Sequence, residues 1–383
     1  MLSNAIVLGG GVAGLAAAAA LGQRGVAVTL IEQADEITEI GAGLQISPNG
    51  LVVLRALGLE NALDRTGVPQ AQAVNLVDFA DGRLVARLDL TRLSGQRYLF
   101  VHRADLVRVL LKAALEANVS LELGRKVARV LPGDLPEIHF TDGSASRAEF
   151  IVAADGLHSV ARAAVNGKTE AQFTGQVAWR ALVPADKPVP EATVTMGPGR
   201  HVVSYPLRGG RLMNLVAVQE RDAWAAEGWH HSDDPANLRS AFADFGGPVQ
   251  TMLEAVENVS LWGLFRHPVA ETWLHGNVAL IGDAAHPTLP FLAQGANLAL
   301  EDAWVLADCL TDGGGPDQFT ARRKPRASKV VKAASGNAWK YHLRPGPLRW
   351  AAHGVLSMGS RLAPGRFLGQ YDWIYRHDVT RGT

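Results

Sequence analysis

The chain of 383 residues contains one cysteine, Cys309, so no disulfide can form within it and no cysteine-based zinc site can be assembled. That usage suits a reducing cytoplasm. Charge of either sign is not in excess: 37 Lys and Arg balance 37 Asp and Glu, leaving no global basic field that would point to nucleic acid. Long apolar runs are equally scarce. The uncharged stretch Ala5–Leu21 lacks a basic flank and is broken by three consecutive glycines, which argues against a signal peptide or a membrane anchor. No other membrane-spanning candidate, no internal repeat and no metal-ligand constellation is present, so neither a membrane nor a metal is expected.

What remains is a glycine-rich, apolar chain, with 40 Gly and 48% hydrophobic residues, a composition that suits a soluble α/β enzyme. Its organising stretch is Asn4–Glu32. A short apolar run, Ala5–Leu8, leads into Gly9-Gly10-Gly11-Val12-Ala13-Gly14, an alanine-rich run to Leu21, a second apolar run from Val26 to Ile31, and Glu32. Strand, glycine turn, helix, strand and acid in that register form a dinucleotide-binding βαβ unit. Gly9 permits the tight turn, Gly11 lets a pyrophosphate approach the backbone, and Gly14 lets helix and strand pack closely. The helix start offers unpaired N–H groups to phosphate. Glu32 is placed to accept from a ribose diol and would repel a 2′-phosphate. NAD and FAD fit this pattern equally well.

Thr38–Asn49 is a loop of small residues, either a plain connection or a cofactor cover with Gln45 as a polar contact; Ser47-Pro48 opens a helix running to Leu57. From Val68 to Tyr98 the texture is short strands around an Asp81-Gly82 turn. The next helix carries Leu106, Val109, Leu110 and Ala113 on one face. Arg103 opens it, an odd place for a cation unless it faces an anion or polar ligand. A buried strand then reaches Ala154-Asp155-Gly156. In the β-rich stretch 173–262, alternation puts His201, Val203 and Tyr205 on one strand face, and Trp179-Arg180 poses a similar question in a neighbouring strand. Farther on, a strand from Val278 delivers Gly282-Asp283, His286-Pro287 turns the chain, and Gln294-Gly295-Ala296-Asn297 starts a long helix whose bare N–H groups and dipole favour negative charge. The charge run Arg322–Lys332 reads as a solvated helix face.

Together, GGGVAG with Glu32, Ala154-Asp155-Gly156 and GDAAHPTLPFLAQGANLALEDA resemble the single-component FAD-dependent aromatic hydroxylases of p-hydroxybenzoate hydroxylase type. The likeness is strongest to the salicylate, 3-hydroxybenzoate and 6-hydroxynicotinate hydroxylase branch, and it extends to Arg103 and the closing DWIYRHD. The resemblance implies an α/β fold: a Rossmann-like FAD-binding domain built from 1–68, 99–168 and 266–345, an inserted, mainly antiparallel β-sheet substrate domain from 69–98 and 169–265, and a C-terminal helical segment over 346–383. It implies FAD held by Gly9, Gly11, Ala13, Gly14, Glu32, Gln33, Gln45, Arg103, Val127, Asp155, Asp283, Pro287 and the N–H groups of Gly295, Ala296 and Asn297. Those N–H groups would meet the flavin N1–C2=O edge, where reduction places negative charge.

The implied reaction uses NADH as a transient co-substrate to reduce FAD, then O₂ to form a C4a-hydroperoxide that transfers oxygen to a small phenolic or pyridine carboxylic acid. A phenol ionises near pH ~10, and by the same resemblance His201 would take its proton, with Tyr205 beside it and Gln294 holding the ring hydroxyl or carboxylate. Gln45 and Phe291 stand where the hydroxynicotinate enzymes carry histidines, which argues against 6-hydroxynicotinate itself. The wider superfamily leaves epoxidation, urate-type oxidation, dehydrogenation or a non-catalytic flavoprotein as alternatives. A monomer or homodimer in the cytoplasm, without nucleic acid or membrane partners, completes the expectation.

Overall fold

In the computed structural model, residues 2–37, 43–222, 231–312, 314–336 and 338–381 are described. Part of the expected cofactor-covering loop, 38–42, lies outside them.

The first strand, Asn4–Leu8, is apolar and buried from Ala5 onward because it has neighbours on both sides: Ala27–Ile31 and Phe150–Ala153 pair with it in parallel. Ser120–Glu122 continues the parallel sheet beyond Ala27–Ile31, and Val278–Leu280 continues it beyond Phe150–Ala153, with Leu274–His275 as an antiparallel edge. The helix Val12–Gly22 is buried on every side from Leu15 to Leu21, which is why alanine fills it. At Gly22 an added Cβ would stand 2.8 Å from the Ala117 carbonyl oxygen, so small residues let this helix and Arg103–Glu116 pack closely. The long helix Gly295–Thr311 packs on the same helix and closes the core.

A second sheet has eight strands in the order His231–Asp233, Val259–Arg266, Gln172–Pro184, Leu212–Glu220, Arg200–Leu207, Glu191–Gly197, Ala73–Asp78 and Leu84–Asp89. All its pairings are antiparallel except that between Glu191–Gly197 and Ala73–Asp78. Its two faces differ. Trp179, Val202 and Ala217 pack with Leu238, Phe242 and Phe245 on one side. On the other, Ala178, Val216, Val218, Trp262 and Leu264 meet Leu289 and Phe291 of the turn that precedes Gly295. The second face therefore looks toward the glycine-bearing sheet's long helix. The fold is α/β, with the mainly antiparallel sheet inserted between strands of the parallel one.

Two details differ from the sequence reading. Val109 is only half-buried, and Val107 takes the interior position on its helix. The charge run on the helix Pro316–Ser335 is not all solvated: Arg323 is 1% exposed and bonds to two buried carboxylates. Its alternation of cations was mistaken for a surface pattern because the acids that bury one of them lie more than 20 residues earlier.

Candidate active site

The phosphate-binding candidate begins at Gly9, whose φ of +100° suits only glycine and whose added Cβ would lie 2.5 Å from the Ala154 oxygen. A Cβ on Gly14 would fall 1.9 Å from the Gly9 oxygen, so helix and turn are in backbone contact there. At Gly11 an added Cβ meets nothing within 4 Å, and no side chain caps the helix that follows. Space and uncapped donors thus lie together, with Ala13 half-buried beside them. Glu32 borders that space: its carboxylate accepts from Gly10 N at 2.7 Å and Ala34 N at 2.9 Å. Gln33 is exposed on the same rim, and Arg125 N donates to the Glu32 carbonyl two residues before the half-buried Val127.

Asp155 touches this turn, since its Cα would lie 3.2 Å from a Cβ on Gly9. Its carboxylate accepts from Ser159 Oγ at 2.6 Å and from Val160 and Ala161 N, starting the helix Val160–Asn166. Burial raises its pKa, and those three donors oppose the rise.

The other end of the site is the strand end at Asp283. This carboxylate is accessible, yet it sits in a recess with protein on most sides; the recess raises its pKa, opposed by His286 and Arg103. Arg103, first residue of its helix, is thus near enough to act on Asp283. Asp283 and Pro287 line a cleft with Arg180, Trp262, Leu289 and Pro290.

A buried ion network holds this turn from behind. Asp302 accepts from Gly282 N at 3.0 Å, His286 Nε2 lies 2.5 Å from the same carboxylate oxygen, and Arg323 Nε donates to its other oxygen at 2.8 Å. Glu301 accepts from Arg323, Arg326 and Asn49 at 2.5, 2.7 and 2.7 Å. Burial works to raise both acids, but the cations around them win and both pKa values lie below the ordinary range.

The start of the helix Gly295–Thr311 is tied to the strand Gly43–Ile46 and the helix after it. Asn297 Oδ1 accepts from Ser47 N at 3.0 Å while its Nδ2 donates to the Gln45 and Ala293 carbonyls. Gln294, expected to hold substrate, is bonded at both ends of its amide, accepting from Asn49 at 3.0 Å and donating to Ser47 Oγ at 2.9 Å. The Gln45 side chain accepts from Tyr98 OH at 2.8 Å. Around Gly295 a Cβ would meet nothing within 4 Å, and no side chain caps the helix. Gly11 and Gly295 therefore both present open space at an uncapped helix start, one near Glu32 and one near Asp283. An elongated cofactor with a central pyrophosphate and a ring that becomes negative on reduction fits those features.

Directly opposite residues in an antiparallel pair share a face. Arg180 opposes Val216, which opposes Val203, and His201 opposes Val218, so Arg180, His201, Val203 and Tyr205 all lie on the face that meets Phe291. The His201 ring is 5.9 Å from that of Phe291, and Tyr205 packs on Phe100 at 5.1 Å. His201 is 2% exposed; burial, then the neighbouring His342, hold its pKa well below the usual value. Burial raises the Tyr205 phenol, which Arg180 opposes. Arg180 lies 4.4 Å over the Trp262 ring at the cleft wall, where enclosure lowers its pKa to about 10 despite Tyr205 and with Arg103 adding to the effect. No carboxylate of the described residues forms a salt bridge with it.

Several contributors escaped the sequence reading: Asn49, Asn214, Glu220, His342 and the group Glu301, Asp302, Arg323 and His286. For the last group a signal existed. Two adjacent acids inside an otherwise apolar helix, LALEDAWVLA, demand buried cations. For the others none did, because their partners are 120 residues or more away, as Glu220 is from His342 and Asn214 from Gly43.

Among the described residues no helix is long and apolar enough to cross a membrane, and no group of His, Cys, Asp and Glu could hold a metal ion. A family profile described as FAD binding domain matches residues 3–334. The chain is 39% identical to 3-amino-4-hydroxybenzoate 2-monooxygenase of Streptomyces cremeus over 89% of its length and 88% of that protein's. It is 33% identical to 6-hydroxynicotinate 3-monooxygenase of Bordetella bronchiseptica, covering 87% of this chain and 91% of the other. Among solved structures, Klebsiella pneumoniae HpxO complexed with FAD and uric acid superposes with a TM-score of 0.84 at 28% identity, over 95% of each chain.

Proposed function

Since the chain belongs to the FAD-binding domain family and is an FAD-dependent aromatic monooxygenase, we propose that it adds one oxygen to the ring of a small phenolic carboxylic acid, with 3-amino-4-hydroxybenzoate as first candidate. The observation that carries this reading is the shared sheet face. An apolar wall of Ala178, Val216, Val218 and Trp262 carries one cation, Arg180, and one neutral imidazole, His201, on the side that meets Phe291. An aromatic acid offers the complements: a flat apolar ring, a carboxylate for Arg180 and a phenol for His201.

FAD, when bound, supplies the redox chemistry with O₂. Gly11 and the following N–H groups would hold its pyrophosphate, Glu32 its adenosine ribose, and Asp283 and Arg103 its middle, while Gly295, Ala296 and Asn297 present N–H groups to the flavin. Ala13, Gln33, Val127, Asp155 and Pro287 complete this assignment, and Gln45 and Gln294 position the segments that carry it. The chain's own work is to orient and to move a proton. Arg180 fixes the acid, Phe291 and Trp262 keep water from the ring, and neutral His201 removes the phenol proton so that the electron-rich phenolate meets the oxidant. Tyr205 borders the same face.

NADH serves as reductant and binds only transiently, because the one dinucleotide unit visible in the sequence is the one assigned to FAD. The division of the chain at 69–98 and 169–265, a cytoplasmic location, and a monomer or homodimer without nucleic acid belong to the same proposal. Following NADH and O₂ consumption across a panel of phenolic and pyridine acids, with product masses, tests it. One added oxygen on a phenolic acid is the result expected; turnover without oxygen incorporation, or with urate alone, would overturn it.

A further inference from the structure

His201 is the inner end of a chain of hydrogen bonds that leaves the site. Its Nδ1 lies 2.7 Å from Nε2 of His342, and His342 Nδ1 lies 2.7 Å from Oε1 of Glu220. The two imidazoles are buried, whereas the Glu220 side chain is 48% exposed. His342 comes from the C-terminal part of the chain, just past the helix Ala338–Tyr341, and is seated there by its carbonyl, which accepts from Gly199 N at 3.1 Å. Gly199 in turn accepts from Glu220 N at 2.9 Å, so the strand-connecting turn holds both outer members.

The order of donors follows from the outer end. A carboxylate can only accept, so His342 must carry its proton on Nδ1. A neutral imidazole has one N–H, which makes His342 Nε2 an acceptor and places the His201 proton on Nδ1. His201 Nε2 is left with a lone pair. Of the two tautomers open to His201, the network selects the one that can take a proton at Nε2.

We propose that Glu220 and His342 form a proton relay that carries the phenol proton from His201 to solvent. The relay rests on the reading of His201 as the base. Three protons each move one place. The ring O–H bond breaks and the proton bonds to His201 Nε2; the Nδ1 proton of His201 passes to His342 Nε2; the Nδ1 proton of His342 passes to Glu220, which exchanges with water. Net, the substrate becomes a phenolate, Glu220 becomes neutral, and neither imidazole ends with a charge. Return of one proton to the ring oxygen before product leaves restores both tautomers.

Two features of the surroundings require such an outlet. The rings packed on His201 are those of Phe291, Tyr341 at 5.3 Å and His342, and among the described residues no anion is found acting on it that could stabilise an imidazolium. Burial and His342 together disfavour the protonated ring, so a proton received at Nε2 must move on. Glu220 is the anion the chain reaches.

The test uses FAD-loaded enzyme and 3-amino-4-hydroxybenzoate as probe, with two readouts: the pH at which the bound probe ionises, followed by its absorbance, and the single-turnover hydroxylation rate. Glu220→Gln keeps an acceptor for His342 but cannot take the proton. It should raise the ionisation pH of the bound probe by about one unit and slow hydroxylation at pH 7 roughly tenfold, within the range typical of proton-transfer assistance. The defect should shrink as pH rises, and added buffer acid–base pairs should restore rate in the variant but not in the parent. His342→Gln should do the same, and the pair His201→Gln with Glu220→Gln should be no slower than His201→Gln alone. If Glu220→Gln and His342→Gln leave the ionisation pH unmoved while His201→Gln shifts it, the relay is overturned and the base survives. An unmoved ionisation pH in all three variants removes the base and the relay together. Lower thermal stability or FAD content with unchanged ionisation would make the chain structural and overturn the proposal. Should His342→Gln not fold, Glu220→Gln, at a half-exposed position, carries the test alone.

Discussion

Replacing Arg323 by leucine should show what the buried ion network contributes to the site. Arg323, Glu301 and Asp302 are 1%, 0% and 0% exposed. The substitution removes a 2.5 Å bond to Glu301 and a 2.8 Å bond to Asp302. Removing one partner of a buried pair costs about 3–5 kcal/mol, since the remaining charge stays desolvated. Arg326 and Asn49 still hold Glu301, and His286 still reaches Asp302, so the lower end of that range, about 3 kcal/mol, is expected. The sign with pH follows from the acids. In the parent their folded pKa values lie below the unfolded ones, so they contribute stability above about pH 4, lost as pH falls through the lower folded values. In the variant one of them rises above its unfolded value. The difference between the two proteins should therefore be largest near pH 7, begin to narrow as pH falls through the variant's raised value, and narrow further below about 4 as the parent loses its own contribution. Urea unfolding of both proteins at several pH values, followed by far-UV circular dichroism, measures it. Because Asp302 also holds Gly282 N and His286, FAD retention should fall with stability. Adding Glu301→Gln and Asp302→Asn should recover part of the loss. A difference under about 1 kcal/mol at pH 7, or one independent of pH, would refute the reasoning.

Gly14→Ala forces a Cβ to 1.9 Å from a backbone oxygen and should cost about 1–3 kcal/mol or more in the apoprotein, whereas Gly11→Ala should leave apoprotein stability within about 1 kcal/mol and abolish FAD retention. Equal effects on apoprotein unfolding would contradict the assignment of Gly11 to the cofactor. His201→Gln should keep fold and flavin while slowing hydroxylation ~10²–10⁴-fold at pH 7, with more hydrogen peroxide released; an unchanged single-turnover step removes His201 from the chemistry. Arg180→Met should weaken binding of a carboxylate-bearing ring by about 10–100-fold, the value of a charge-assisted hydrogen bond, yet leave its carboxamide analogue unaffected. Equal losses for acid and amide would place the arginine elsewhere than on the carboxylate. Steady-state comparison of the two nucleotides should favour NADH in kcat/KM, and parity with NADPH would reverse that choice.

The glycines of the first turn illustrate how much of the site was legible. Gly9, Gly11 and Gly14 sit within six residues, and a local pattern told their roles apart: a left-handed turn, an open approach and a backbone contact. Gln294 shows where local reading stops. Its polar amide at a helix start suggested a ligand, but both ends bond to Ser47 and Asn49, some 245 residues earlier. The Arg322–Lys332 run misled for the same reason, since a cation's surroundings depend on what packs over it.

By itself the sequence determined the α/β fold, the dinucleotide unit, the two strand ends at Asp155 and Asp283 and the common strand face of His201 and Tyr205. Each rests on backbone chemistry or a period of two, which operate within a few residues. Only the tertiary structure decided which charges are internal, that Arg180 shares its face with His201 across an intervening strand, and that His342 and Glu220 continue the line from His201 to the surface. His342 lies more than 100 residues from both His201 and Glu220, and Arg323 lies just over 20 residues from its acids; at either separation packing sets the relation, and no local rule in the sequence records which distant groups will lie within hydrogen-bond reach.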